Sequence, residues 1–293
     1  MANGKLRPIS QLSDGFLRPR FPEETQFSYY EASVFCEMVE ASRGAAALPA
    51  MLKAYRDGMD TPGVFQKVLG KTPAQIDAEF EAYTQRKFAL PLAAVRGASP
   101  TDSSGGTVVA TMREAAATMG RDRDAARALF ERAQGMFPGY AGDDGPAWFL
   151  AQLAATANDT SRALTLLEQI TSRNETAWDA NLMEADLREA RRDAAGAIRA
   201  LDRLNWIWPY DVTVHTRLAT LAAAQGDRTR AVLERRAILA MGPTDRLEAR
   251  YELARALRDA GDVTAARREL LQVLEEAPSF EKAQALLLEL RGK

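Results

Sequence analysis

The chain has a single histidine, His215, and a single cysteine, Cys36, in 293 residues. One cysteine excludes an intramolecular disulfide and leaves the redox compartment undetermined. One histidine leaves no Ser-His-Asp or Cys-His assembly to build on. Long apolar runs are missing too: no stretch approaches the roughly 20 residues that span a bilayer. The start, MANGKLRPIS, has no apolar segment after its charges, so neither a signal peptide nor a transmembrane segment is expected in this chain. Charge of one sign is also lacking. The 38 basic and 40 acidic residues are interspersed and give a formal net charge of −2, so nothing electrostatic points to nucleic acid. β-branched runs are scarce, while alanine, leucine, arginine and glutamate abound, which favours helix. The length allows two domains, and 46% hydrophobic residues suffice for a core.

What is present is a period. Ala163, Ala197, Ala231 and Ala266 recur at spacings of 34, 34 and 35 residues. Another alanine stands 12 residues before each (Ala151, Ala185, Ala219, Ala254), and a proline 12 after in three copies (Pro209, Pro243, Pro278). Between the two alanine rows falls a turn signal: Asn158-Asp159, Arg192-Asp193, Gly226-Asp227 and Gly261-Asp262. Each unit therefore reads as helix, short turn, helix, with small residues at the crossing and a proline that stops the second helix.

This pattern resembles the tetratricopeptide repeat, with the copies running to Pro243 and Pro278 matching best. Glu175 replaces the proline of the Ala163 copy, and Arg192 stands where glycine is usual, but the spacing is kept. A degenerate unit fits MREAAATMGRDRDAARALFERAQGMFP (112–138) with Ala125 as its reference alanine, the loop GYAGDDG (139–145) absorbing the longer interval to Ala163. Residues 279–291 read as a closing helix.

The composition changes at RGASPTDSSGG (96–106), a small, polar, turn-forming stretch read as an interdomain linker. Ahead of it, about four helices are expected. Tyr30, Val34, Phe35, Met38 and Val39 share a face of 28–42; Leu48, Met51, Leu52 and Tyr55 lie on 45–57. A short helix carries Val64, Phe65 and Val68 up to Gly70. The fourth opens at Thr72-Pro73-Ala74-Gln75, a capping box with proline at the first helical position, and buries Ile76, Phe80 and Tyr83.

The order of features in FSYYEASVFCEMVEASRGAAALPAMLKAYRDGMDTPGVFQKVLGKTPAQIDAEFEAYTQRKF, with GKLRPISQLSDGF before it, resembles the C-terminal part of the peptidase MA-like, gluzincin-type zinc metallopeptidase domain, over residues 4–88. That family binds zinc through His-Glu-x-x-His on one helix and a glutamate from a following helix, upstream of the matching segment. His215 belongs to no such motif, so no metal ligand, catalytic residue or cofactor site is carried over. The resemblance implies the back portion of a longer bacterial protein. Glu31, in YYEAS, follows the region of the third ligand and reads as a polar residue on an amphipathic helix.

Other chemistry is absent or bland. LGKT (69–72) lacks the glycine of a phosphate loop, position 65 being phenylalanine, and reads as a helix stop followed by a cap. Asp143-Asp144-Gly145 lacks the alternating ligands of a calcium loop and reads as a turn. His215 aligns with Ala147, Asn181 and Arg250 in the first helix of each unit and reads as a core or groove histidine. Cys36, among Val34, Phe35 and Val39, is expected to be a small buried hydrophobe.

The fold class expected is thus all-α: a helical segment followed by a right-handed α-solenoid of tetratricopeptide-like helix pairs, divided as 1–95, 96–106 and 107–293. Such a stack binds along the inner face lined by the first helix of each unit. By analogy with the repeat family, that face presents Trp148, Gln152, Leu182, Asp186, Thr216, Thr220, Tyr251 and Arg255. No lysine-asparagine carboxylate clamp is present, and a peptide or protein segment is the expected ligand. In NWIWPY (205–210), Trp206 and Trp208 are expected to pack between repeats, the other reading being an aromatic anchor for a partner. The function expected is a noncatalytic, repeat-based binding scaffold, the alternative being the C-terminal portion of a zinc metallopeptidase.

Overall fold

Local sequence sets the helix ends, and the repeats set them in one way. In the computed structural model, which describes residues 7–96 and 106–292, Asn158, Arg192, Gly226 and Gly261 all take a left-handed backbone, with φ of 60°, 59°, 81° and 86°. The aspartate that follows each of them caps the next helix. Asp159, Asp193, Asp227 and Asp262 accept the backbone N–H three residues on, at 2.9 to 3.0 Å. The left-handed residue ends one helix, and the aspartate satisfies orphan N–H groups of the next.

The chain divides into two compact units, Met1–Thr111 and Met112–Lys293. The expected linker falls, apart from its two ends, outside the described residues. The described residues are helical without strands. In the first unit, α1 (Leu12–Leu17), α2 (Glu24–Arg43), α3 (Ala47–Arg56), α4 (Thr61–Val64), α5 (Pro73–Lys87) and α6 (Ala89–Arg96) follow in order, a π-helical turn at Phe65–Leu69 continuing α4. α1 and α6 are additions to the four expected helices. The capping box at Thr72 is formed in both directions. Gly70 closes the π turn in the left-handed region, so LGKT is a stop and a cap rather than a phosphate loop. One core holds these helices, with Val34, Val39, Val64, Phe65 and Ile76 at its centre.

Four readings of side-chain facing change in this unit. α2 begins earlier than expected, and its buried stripe runs Glu24, Ser28, Glu31, Val34, Phe35, Met38 and Val39. Tyr30 and Cys36 lie off that stripe and are exposed. On α3 the buried set is Ala47, Met51 and Ala54, which leaves Leu52 and Tyr55 exposed.

α7 (Val108–Met119) spans the division between the units. The second unit continues with α8 (Arg123–Met136), α9 (Pro146–Thr156), α10 (Thr160–Thr171), α11 (Trp178–Ala190), α12 (Ala194–Ile207), α13 (Val212–Ala224), α14 (Arg228–Ala240), α15 (Arg246–Asp259), α16 (Val263–Glu276) and α17 (Glu281–Glu289). From α8 to α17 each helix packs on its sequence neighbours. The pairs α9–α10, α11–α12, α13–α14 and α15–α16 are the four clear repeats. All eight marker alanines are buried. The core runs on through three successive clusters around Leu167, Leu201 and Leu270, so helix pairs stack along the chain as an α-solenoid.

The degenerate copy needs its register moved by one. Ala125 is exposed, whereas Ala126 is 0% exposed and packs with Phe130. In every clear repeat the buried alanine stands four residues after the capping aspartate, and Ala126 stands four after Asp122, which caps α8. Pro138 then falls 12 residues on, as in the other copies.

Candidate functional site

The first helices of successive pairs carry a recurring polar position, and its side chains reach the second helix of the same pair. Asn181 receives Arg203 Nε at 2.5 Å. His215 Nδ1 lies 2.6 Å from Glu234 Oε2, and its Nε2 lies 3.1 Å from the Pro209 carbonyl. That carbonyl only accepts, so Nε2 carries a proton. Arg250 pairs with Glu269 at 3.0 Å and with Gln272. Alignment finds this position, but the partners lie 19 to 22 residues away and come only with the fold. His215 is thus a buried bridge between α13, α14 and the turn at Pro209, not an isolated ligand. Among the described residues no group of three or more His, Cys, Asp or Glu is placed to hold a metal ion.

Two adjoining grooves mark the surface over α13–α15, apart from a groove of about 470 Å³ at residues 137–142 and 173–175. The larger, about 1050 Å³, is lined by Tyr210, Val212 and Thr216, by the end of α14 from Arg235 to Met241, and by Glu248 to Glu252 of α15. The smaller, about 730 Å³, runs past Thr220, Arg228, Arg235, Glu252, Arg255 and Arg258. They share Arg235 and Glu252, which pair at 3.4 Å. Burial pulls the Arg235 guanidinium below its ordinary value, opposed by Glu252 and helped by the nearby charge of Arg255. Glu252 is shared, since Arg255 also holds it at 2.7 Å.

Of the expected binding residues, the structure brings three to these grooves: Thr216 to the larger, Thr220 and Arg255 to the smaller. Both threonine hydroxyls donate to backbone carbonyls of their own helix, Val212 at 2.7 Å and Thr216 at 2.8 Å. Tyr251 packs on Phe280 with ring centroids 5.7 Å apart and lines neither groove. Trp148 and Leu182 are half-buried against the core, Gln152 is half-buried on α9, and Asp186 pairs with Arg217 at 2.7 Å. Sequence reasoning missed Arg235 and Glu252, whose signal was two opposite charges on facing helices of adjacent repeats.

The tryptophans of NWIWPY do not pack between repeats. Trp206 is 88% exposed, Trp208 55% and Tyr210 67%. α12 buries Ala197, Ala200, Leu201 and Leu204, and Trp206, about 200° past Leu204, points to the opposite side. Trp208 and Tyr210 stack edge to face, with centroids 5.7 Å apart.

These features define a tetratricopeptide-like helical-repeat protein, with its period, capped turns and buried alanines supplied by the chain itself. No protein-family profile matches the chain, and no curated protein matches it. Among solved structures, the chain is similar to the MamA protein (15% identity, TM-score 0.44, covering 60% of this chain and 94% of that one). It is likewise similar to YrrB, titled a TPR protein with an unusual peptide-binding site (13% identity, TM-score 0.45, 61% and 91% covered). A third is PilW, titled a widely conserved type IV pilus biogenesis factor (14% identity, TM-score 0.38, 83% and 97% covered). At these scores the likenesses add no argument beyond the helices themselves. No described helix is long and apolar enough to cross a membrane.

Proposed function

We propose that this chain is a noncatalytic scaffold whose residues 107–293 bind an extended peptide or protein segment along the concave face of the repeat stack. The observation that carries the reading is the pair of adjoining grooves over α13–α15, which meet at Arg235 and Glu252 and have the exposed ring of Tyr210 at one end. The mainly apolar larger groove and the charged smaller one suit a segment that buries side chains in the first while charged groups in the second fix its register. Selection of peptides from a random library on the full chain tests this. Tyr210→Ala and Arg255→Glu are expected to weaken selected peptides at least tenfold; full affinity in both variants would overturn the reading.

The expected inner-face residues divide under this proposal. Thr216, Thr220 and Arg255 touch the ligand, and Trp148, Gln152, Asp186 and Tyr251 would extend the same face. In the same proposal residues 1–95 are read as a separate segment and 96–106 as its linker to the repeats. The second reading is that this segment is the C-terminal part of a zinc metallopeptidase domain, and it rests on the order of features over residues 4–88. An in-frame His-Glu-x-x-His in the coding sequence upstream is its test. Zinc analysis of the purified chain, paired with a chelator-sensitive protease assay, tests the noncatalytic reading: stoichiometric zinc with cleavage would overturn it.

A further inference from the structure

A separate cavity of about 200 Å³ lies within the first unit, between α2 and α5. It is lined by the buried Glu31 and Val34 of α2, by the neighbouring and more exposed rings of Phe27 and Tyr30, and by Phe80 and Thr84 of α5 and Phe88 just after it. Glu31 is 6% exposed. Its Oε1 is buried and receives no hydrogen bond among the described residues. Among the described side chains, Arg7 and Arg20, which act on it from a distance, hold Glu24 at 2.9 and 2.7 Å, and Lys87 holds Glu37 at 2.5 Å. The Thr84 hydroxyl donates back to the Glu81 carbonyl at 2.9 Å.

A buried carboxylate oxygen without a partner is costly and is met by a proton or by a positive group. Burial pushes the Glu31 carboxyl up to about 6, so at neutral pH the ionised form still prevails. The remaining walls decide which cation fits. A hydrated metal ion needs several oxygen ligands, and these walls are mostly rings. An organic cation is attracted to ring faces, and Lys87 Nζ already lies 5.9 Å from the Phe88 centroid. The cavity has room for roughly six or seven water-sized groups at about 30 Å³ each, the size of a small alkylammonium head.

We propose that this cavity binds an alkylammonium group, with its charge against Glu31 and its carbons against Phe27, Tyr30, Phe80 and Phe88. The group comes either from a free amine or quaternary ammonium compound or from a lysine side chain, and the site is independent of the repeat grooves. Calorimetric titration of the full chain at neutral pH tests it with tetramethylammonium, butylammonium and neopentyl alcohol as the neutral isostere, and with N-acetyl-lysine amide and its ε-acetylated form. Saturable binding of the ammonium probes, at least tenfold tighter than the alcohol, is expected. Tetramethylammonium or butylammonium alone would assign a free ligand; binding of the lysine derivative, lost on ε-acetylation, would assign a side chain. Glu31→Gln keeps the shape of the carboxyl and should weaken the ammonium probes at least tenfold, and Phe88→Ala, at the mouth, should weaken them several-fold. Equal binding of the alcohol, unchanged affinity in both variants, or no saturable binding of any ammonium probe would overturn the proposal.

Discussion

The two units are both helical, yet they join their helices in different ways. From α9 to α16 every turn within a pair is a left-handed residue followed by a capping aspartate, and every crossing is a buried alanine. In the first unit the joints are individual: a capping box at Thr72, an aspartate cap at Asp60 and a π turn closed by Gly70. In the repeats, Asn181, His215 and Arg250 each find a partner on the second helix of their pair, although Arg250 Nε and Asn205 Oδ1 stay unmet; in the first unit Glu31 leaves an oxygen unmet. Repetition lets one local solution serve many sites, and a non-repeating core solves each site once.

The strongest test of that contrast is to overfill a crossing. Ala266→Leu, at a site with no exposure, should destabilise the chain by about 2 to 3 kcal/mol through overpacking. Ala125→Leu should stay within about 0.5 kcal/mol because its side chain is in solvent. Urea midpoints of the two variants decide whether the first copy is registered on Ala126. A loss from Ala125→Leu as large as that from Ala266→Leu would return the register to Ala125.

Caps come next. Asp227→Ala and Asp262→Ala each remove a side-chain acceptor at a helix start and should cost about 1 kcal/mol. Thr72→Ala should cost about the same in the first unit. Thermal melts of the three would show whether the repeated and the individual caps are equivalent.

Arg192 is the exception among the turns, an exposed side chain at φ 59°. Arg192→Gly should stabilise the chain by up to about 1 kcal/mol by relieving the left-handed strain, and Gly261→Ala, at φ 86°, should have the opposite sign. Chemical denaturation of both gives the signs directly.

The smallest effects are in pH, where two glutamates on α2 should pull in opposite directions. Burial raises Glu31 from 4.5 to about 6, so its contribution to stability is fully present below about 4.5 and is lost as pH rises through 6. For Glu24, burial acts upward, but hydrogen bonds from Arg20 and Arg7 outweigh it and hold the carboxyl at about 2. Its contribution is present above about 4.5 and is lost as pH falls toward 2. Unfolding free energies across that range for Glu31→Gln and Glu24→Gln should each lose one of the two slopes.

How much was readable beforehand follows from where each signal lies. Asp193 and Gly261 act within a few residues of themselves, so the turns and helix pairs were legible from spacing. Thr72 and Gln75 are equally local, and the capping box was found. Trp206, Trp208, Cys36 and Tyr30 were misjudged because hydrophobic character names a candidate for burial without giving its angle around the helix. Arg235 and Glu252 lie 17 residues apart on facing helices, and nothing local marks them as a pair. Of the expected inner-face residues, Thr216, Thr220 and Arg255 line a groove, and that could not be read from the repeat positions because the analogy supplied positions but not depth.

By itself, then, the sequence determined the helical class, the period, the turns and the small residues at the crossings, because each of these depends on neighbours along the chain. The tertiary structure alone decided which polar groups pair across helices, that Trp206 and Trp208 face solvent, and that a glutamate on α2 lies beside aromatic rings of α2, of α5 and of Phe88. Those outcomes depend on how helices rotate and approach one another, a long-range balance of burial and packing that no short stretch of residues records.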